Sequence, residues 1–178
     1  MTRILIFSDN HRDRKILNMI LSFPPKPDFL FSLGDSEMPE HELSNLGIVG
    51  VRGNYPFEPD YPADLVLCFS GIRFLFTHGH NYHVKTGTGI LLEKAISEDI
   101  NVVFYGHTHL AKIEYRDDVL LVNPGALAYA KGPYGKTYAL AELDEGRINV
   151  MIKNAMNGET ILEKQVAFES GDPVGNCR

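Results

Sequence analysis

Cysteine is scarce in this chain, long apolar runs are missing, and so is any cluster of basic residues. Each absence excludes a class of protein. Only two cysteines occur, Cys68 in an apolar run and Cys177 in a polar tail; that separation reads as a reduced, cytosolic pattern and not a disulfide framework. No run approaches the roughly 18 apolar residues that a membrane helix needs. The amino terminus passes almost directly into a strand, without the charged, apolar and cleavage-site order of a secretory signal. The expectation is a cytoplasmic protein without a membrane partner. Lys and Arg number 17 against 23 Asp and Glu, a formal net charge of -6. That balance argues against a broad nucleic-acid face, which would need clustered cations to neutralise a phosphate backbone. No long nucleic acid is expected as a partner, though a local cationic pocket stays open.

What is present is ordinary globular material. At 178 residues and 44% hydrophobic, the chain can bury a substantial core in one domain, expected over residues 1–169 with a polar tail at 170–178. No repeat, low-complexity stretch or linker divides it. Ile4-Leu5-Ile6-Phe7 is an unbroken apolar run of the kind covered on both faces. Asp13 to Phe23 reads as a helix with Ile16, Leu17, Ile20 and Leu21 on one stripe, stopped by Pro24-Pro25. Residues 28–33 and 48–51 follow as further buried strands, giving the grammar of a mostly parallel sheet with crossovers. From Leu65 the reading changes. Leu65–Phe69 and Ile72–Phe76 flank a Ser70-Gly71 turn, residues 81–89 form a flexible loop, and a helix spans about Ile90 to Ser97. Apolar runs at 100–105, 111–115, 119–122, 136–143 and 147–152 read as an antiparallel meander.

Chemistry gathers at the strand ends. Asp9-Asn10-His11, Gly34-Asp35, Gly53-Asn54, His78-Gly79-His80 and Gly106-His107-Thr108-His109 each follow an inferred strand. The carboxyl ends of parallel strands are where sites assemble in open sheets. On a strand, residues two apart point the same way, so His107 and His109 are expected to face one point. The donors are carboxylate, amide and imidazole with no thiolate among them, a set that suits Mn, Fe, Zn, Co or Ni. Glycines before Asp35, Asn54 and His107 permit close backbone approach. Each stretch alone is explained as well by a helix cap or turn; five in succession are not.

In type, order and strand position these stretches resemble the calcineurin-like metallophosphoesterase family, whose pattern is D-x-H, G-D, G-N, H and G-H-x-H. The resemblance covers roughly residues 4–125, and Ser8-Asp9-Asn10-His11, Thr77-His78-Gly79-His80 and Asn123-Pro124-Gly125 look most like its small bacterial and archaeal phosphodiesterase branch. It implies an α/β fold, a four-layer αββα sandwich of two packed mixed sheets flanked by helices. It also implies two divalent metal ions, with Mn favoured and Ni, Zn, Fe or Co open. Asp9, His11, Asp35 and His109 would hold one; Asp35, Asn54, His78 and His107 the other. A hydroxide bridging the pair would attack a small phosphodiester. Asp35, Asn54 and His80 are the candidate catalytic residues, and Arg12, Tyr55 and His80 the candidate substrate contacts. A dimer or tetramer is expected from the family.

One departure stands out. Many members carry histidine after the Gly-Asn pair, thought to stabilise the transition state or protonate the leaving group; Tyr55 occupies that position here. A phenol is a reluctant acid at neutral pH, which puts cleavage of esters with strongly basic leaving groups in doubt. Two alternative readings remain: a phosphomonoesterase acting on a nucleotide or phosphoprotein, and a non-catalytic scaffold that keeps the fold. His83, Arg52 and Lys85 lie near motifs but read better as solvated groups, His41 reads as surface, and a plain turn explains Asn123-Pro124-Gly125 equally well.

Overall fold

The computed structural model describes residues 1–57 and 60–168. The expected tail at 170–178 lies outside the described residues. Fifteen elements follow one another as β1 (Thr2–Phe7), α1 (Arg14–Ser22), β2 (Phe29–Ser32), α2 (Glu40–Asn45), β3 (Ile48–Gly50), β4 (Asp64–Phe69), β5 (Ile72–Thr77), a 3₁₀ turn (His80–Tyr82), α3 (Gly89–Ser97), β6 (Val102–Tyr105), β7 (Ala111–Arg116), β8 (Val119–Pro124), β9 (Thr137–Asp144), β10 (Arg147–Asn154) and β11 (Thr160–Ala167).

Because the inner strands carry unbroken apolar runs, the two-residue alternation of a strand sorts each one between two interfaces. Ile4 and Ile6 of β1 face the second sheet, while Leu5 and Phe7 face α1 and α2. Val102 and Phe104 of β6 face the first sheet; Val103 and Tyr105 face α3. The three buried clusters are therefore the three interfaces of a four-layer αββα sandwich. Phe31 of β2 stacks on Phe76 of β5 with centroids 4.1 Å apart, and Phe76 stacks in turn on Phe104. This ring ladder joins the sheets beneath the strand ends.

Sheet order is β11-β10-β9-β1-β2-β3 in the first sheet and β4-β5-β6-β8-β7 in the second. In the first, β1, β2 and β3 run parallel and β9 to β11 are antiparallel. The second corrects the meander expected from the sequence: β5, β6 and β8 are parallel, with β4 and β7 antiparallel at the edges. The reason is that α3 carries the chain over from β5 to β6, and the β7–β8 hairpin docks through β8. Six parallel strands thus deliver their carboxyl ends to one rim of the sandwich.

Asp13 caps α1, its Oδ1 accepting from the Ile16 amide at 3.1 Å and its Oδ2 from Lys136 Nζ at 2.8 Å. The 81–89 segment, expected as a loop, opens with the 3₁₀ turn and is pinned by buried Val84, with the Tyr82 hydroxyl donating to Asp64. Cys68 departs from the reduced pattern: it is disulfide-bonded, and Cys177 lies outside the described residues. Among the described residues, no helix is long and apolar enough to cross a membrane.

Candidate metal centre

Strands β1, β2 and β6 hand over their polar residues through sharp backbone turns. Asp9, His11, Asp35, His107 and His109 all have positive φ, between 41° and 67°, a region that costs an ordinary side chain energy and persists only where surroundings enforce it. Cross-strand hydrogen bonds supply the enforcement: the Asp9 amide donates to the Gly34 carbonyl at 3.1 Å, that of His11 to Asp35 at 3.2 Å, and that of Gly106 to His78 at 3.1 Å. The left-handed turns also correct the expectation that His107 and His109 share one direction. Strand alternation does not apply past Tyr105; His109 reaches Asp9, and His107 turns to His78.

Gly53 and Gly106 are dictated by this crowding. A Cβ on Gly53 would lie 2.0 Å from Asp35 Oδ1, and one on Gly106 would lie 2.0 Å from Ser8 Oγ. Neither position has room for a methyl group.

The imidazoles are held by their far nitrogens. His78 Nδ1 lies 2.7 Å from the Leu33 carbonyl, His109 Nδ1 3.0 Å from the Tyr129 carbonyl, and His11 Nδ1 2.7 Å from Glu37 Oε1. A carbonyl or carboxylate only accepts, so in each neutral ring Nδ1 carries the proton and Nε2 presents its lone pair to the centre. There it meets more acceptors. Buried Asp9 receives the Ser8 hydroxyl at 2.5 Å and the His107 amide at 3.2 Å on Oδ2. Its Oδ1 faces the Nε2 atoms of His109 at 3.0 Å, His11 at 3.9 Å and His78 at 4.0 Å, and has no hydrogen bond; nor does buried His11 Nε2. On the other side, His78 Nε2 faces Asn54 Oδ1 at 3.1 Å, His107 Nδ1 at 3.2 Å and Asp35 Oδ2 at 3.6 Å. The second Asp35 oxygen accepts from the Tyr55 amide at 2.8 Å.

Buried acceptors pointing at one another are costly unless positive charge lies between them. Burial raises the Asp9 carboxyl, but His109, His78 and Ser8 outweigh it and hold the group below its ordinary value. Contact with Asp9 raises His109 against the effect of its burial, as if a proton were doing the work of a cation. Burial, then His78 and Lys85, push His107 down to about 4, and burial with His78 lowers His80. Two clusters have donor atoms that all lie within 4.8 Å of one another and could hold an ion: Asp9, His11 and His109, and Asp9, Asp35 and His78. Their oxygen and imidazole donors suit first-row divalent ions, so the residues present fit a metal centre.

At the rim, Arg12 donates from Nη2 to the Tyr55 hydroxyl at 2.7 Å and from Nε to the Glu37 carbonyl at 3.1 Å. His80 lies against His78 and His107, ring centroids 5.3 and 6.1 Å away, with its buried Nδ1 unpartnered. His41, Arg52, His83 and Lys85 are exposed. Two contributors escaped the sequence, Glu37 and Tyr129, which act through a side chain or carbonyl with no pattern of its own. Asn123 is more than a turn. Fully buried, its Nδ2 donates to the Gly106 carbonyl at 2.9 Å and Thr108 Oγ1 at 3.0 Å, and its Oδ1 accepts from the Gly125 amide, so β8 braces the His107–His109 loop.

The calcineurin-like phosphoesterase superfamily domain matches residues 2–146. The chain is 26% identical over 157 residues to the probable metallophosphoesterase YsnB of Bacillus subtilis, covering 88% of this chain and 93% of that one. It is 30% identical over 130 residues to the phosphodiesterase YfcE of Escherichia coli K12, covering 68% and 63%. Among solved structures, a phosphoesterase-like protein of Streptococcus pneumoniae superposes with a TM-score of 0.83 at 27% identity, covering 94% and 98%.

Proposed function

Because the chain belongs to the calcineurin-like phosphoesterase superfamily, we propose that it is a phosphodiesterase working through two divalent ions, Mn favoured, on a small phosphodiester. One observation supports this reading: oxygen and imidazole groups from the ends of parallel strands come together in two clusters that could hold an ion, where buried Asp9 Oδ1 and His11 Nε2 have no hydrogen bond. In this reading Asp9, His11, Asp35 and His109 hold one ion, and Asp35, Asn54, His78 and His107 the other. Ions at such a site acidify water toward neutral pH and offset charge on phosphate oxygens.

The chain's own residues do the rest. Leu33, Tyr129 and Glu37 hold His78, His109 and His11 with Nε2 inward, which fixes ring orientation and strengthens a ligand. Asn54 contributes a neutral oxygen, leaving the centre more attractive to an anionic phosphate than a further carboxylate would. Arg12 presents charge at the rim and orients the Tyr55 hydroxyl, which can donate its proton as a hydrogen bond to a phosphate oxygen. His80 offers Nδ1 to the same region. No side chain among these is a ready acid for a basic leaving group. The favoured substrates are diesters whose leaving group departs without being protonated.

The test uses protein stripped with chelator and resupplied separately with Mn, Ni, Zn or Mg, assayed on bis(p-nitrophenyl) phosphate beside p-nitrophenyl phosphate. Diester turnover restored by an ion, and lost in Asn54→Ala and His107→Ala, is the expected result. Preference for the monoester would replace the reading with a phosphatase. No turnover with both ions bound would replace it with a scaffold.

A further inference from the structure

Beside the centre lies a cleft of about 580 Å³ walled by β7, the segment after the 3₁₀ turn and the loop preceding β9. Its lining includes Lys85, Lys112, Arg116 and Lys131, with Glu114 as the one carboxylate. Four cations in one cleft stand out in a chain whose net charge is -6. Glu114 is already engaged by Lys112 at 2.7 Å and Arg116 at 3.4 Å. Lys85 and Lys131 make no ion pair among the described residues, and both are exposed.

The cleft adjoins the centre. Thr108, between His107 and His109, lines it. The Lys131 amide donates to the His109 carbonyl at 2.9 Å, and Lys85 lines the cleft next to Val84, which packs in one buried cluster with Tyr105 at the end of β6. Nothing in the proposed dinuclear chemistry uses these two lysines. Thr108 thus places next to the centre a cleft whose Lys85 and Lys131 ammonium groups make no ion pair among the described residues.

We propose that the cleft holds a second phosphate of the substrate, so that the bond cleaved at the centre is a phosphoanhydride of the nucleoside diphosphate ester class. This deepens the phosphodiesterase reading and rests on it. The cleft and the lack of a proton donor then have one explanation. Water oxygen bonds to the phosphorus at the centre, and the bond from that phosphorus to the bridging oxygen breaks. The electron pair leaves with that oxygen on the second phosphate, giving two phosphomonoesters. Both protons of the water pass to solvent or product. A phosphomonoester leaving group is acidic enough to depart unprotonated, and Lys85 and Lys131 offset the charge it carries away.

The test compares kcat/KM for ADP-ribose, followed as AMP released, with that for bis(p-nitrophenyl) phosphate, using the metal-loaded full chain. Wild type is expected to favour ADP-ribose. In Lys85→Gln/Lys131→Gln the ratio is expected to fall at least about tenfold, mainly through KM, while Lys85→Arg/Lys131→Arg retains it. The Arg pair also guards against a fold defect in the Gln pair. Turnover of the diester with a ratio unchanged in the Gln pair, or lost equally in the Arg pair, overturns the cleft assignment and leaves the phosphodiesterase reading standing. Turnover of neither substrate overturns both.

Discussion

At the scale of single residues, the centre is set as much by what is small as by what ligates. Gly53 lets one backbone segment pass against the Asp35 carboxylate, where a Cβ would stand 2.0 Å from Oδ1 and 2.4 Å from the Asp35 amide. Gly53→Ala therefore has to displace Asp35. Activity is expected to fall by about 100-fold, because an ångström of misplacement at a reacting centre costs that much. Calorimetric titration with Mn should show weaker binding in the same variant; wild-type affinity would mean that the loop gives way instead. The ligand types were legible in sequence because aspartate, asparagine and histidine repeatedly closed apolar runs. What was hidden was direction. A left-handed φ at His107 and His109 reverses the alternation that a strand would impose, and only the hydrogen bonds between loops decide it. Glu37 was equally hidden, since its 2.7 Å contact with His11 crosses 26 residues of sequence.

At the scale of elements, helix α1 and strand β9 show how local signals and long-range packing share the work. Asp13 both caps α1 and pairs with Lys136, so Asp13→Ala should cost about 1 kcal/mol from the cap alone. Asn in its place retains a capping oxygen and should recover most of that loss in urea denaturation. Equal destabilisation by Ala and Asn would assign the effect to Lys136. Packing shows itself at Tyr138 in β9, buried in the interface with the outer helices, where burial pushes the phenol from 10 up to about 12. The folded chain thus favours the protonated ring: this contribution to stability is complete below pH 10 and is lost as the pH climbs toward 12. Tyr138→Phe should flatten the decline in stability across that interval, and an unchanged slope would show the ring to be relaxed on ionisation. The sequence disclosed β1, β2, β5, β6 and β8 because strands covered on both faces are continuously apolar. It did not disclose β11: Thr160–Ala167 has one buried position, Val166, and owes its existence to pairing with β10. Nor could pairing order be read, since β9 crosses the chain to lie beside β1.

At the scale of the whole molecule, the centre spans the seam between the sheets. Asp9, His11, Asp35 and Asn54 follow strands of the first sheet; His78, His107 and His109 follow strands of the second. An ion bound there would tie one sheet to the other and would favour the folded chain over the unfolded one. At an ion concentration of 100 times the dissociation constant, folding should gain about 2.7 kcal/mol. Thermal unfolding of chelator-treated protein, repeated after adding Mn, measures this directly. Identical midpoints would argue that the donors close on one another without an ion.

The rim and the ring ladder beneath it are built from different residues. Phe31, Phe76 and Phe104 give the sandwich its cohesion, whereas Asp35, His78 and His107 sit beyond the last paired strand positions. Inheritance can therefore act on the two separately. A lineage could trade a ligand at the rim, or recolour the cleft beside it, and pass on the same frame; conversely the frame could drift in its core while the rim is kept. The architecture behaves as a chassis whose working end is interchangeable.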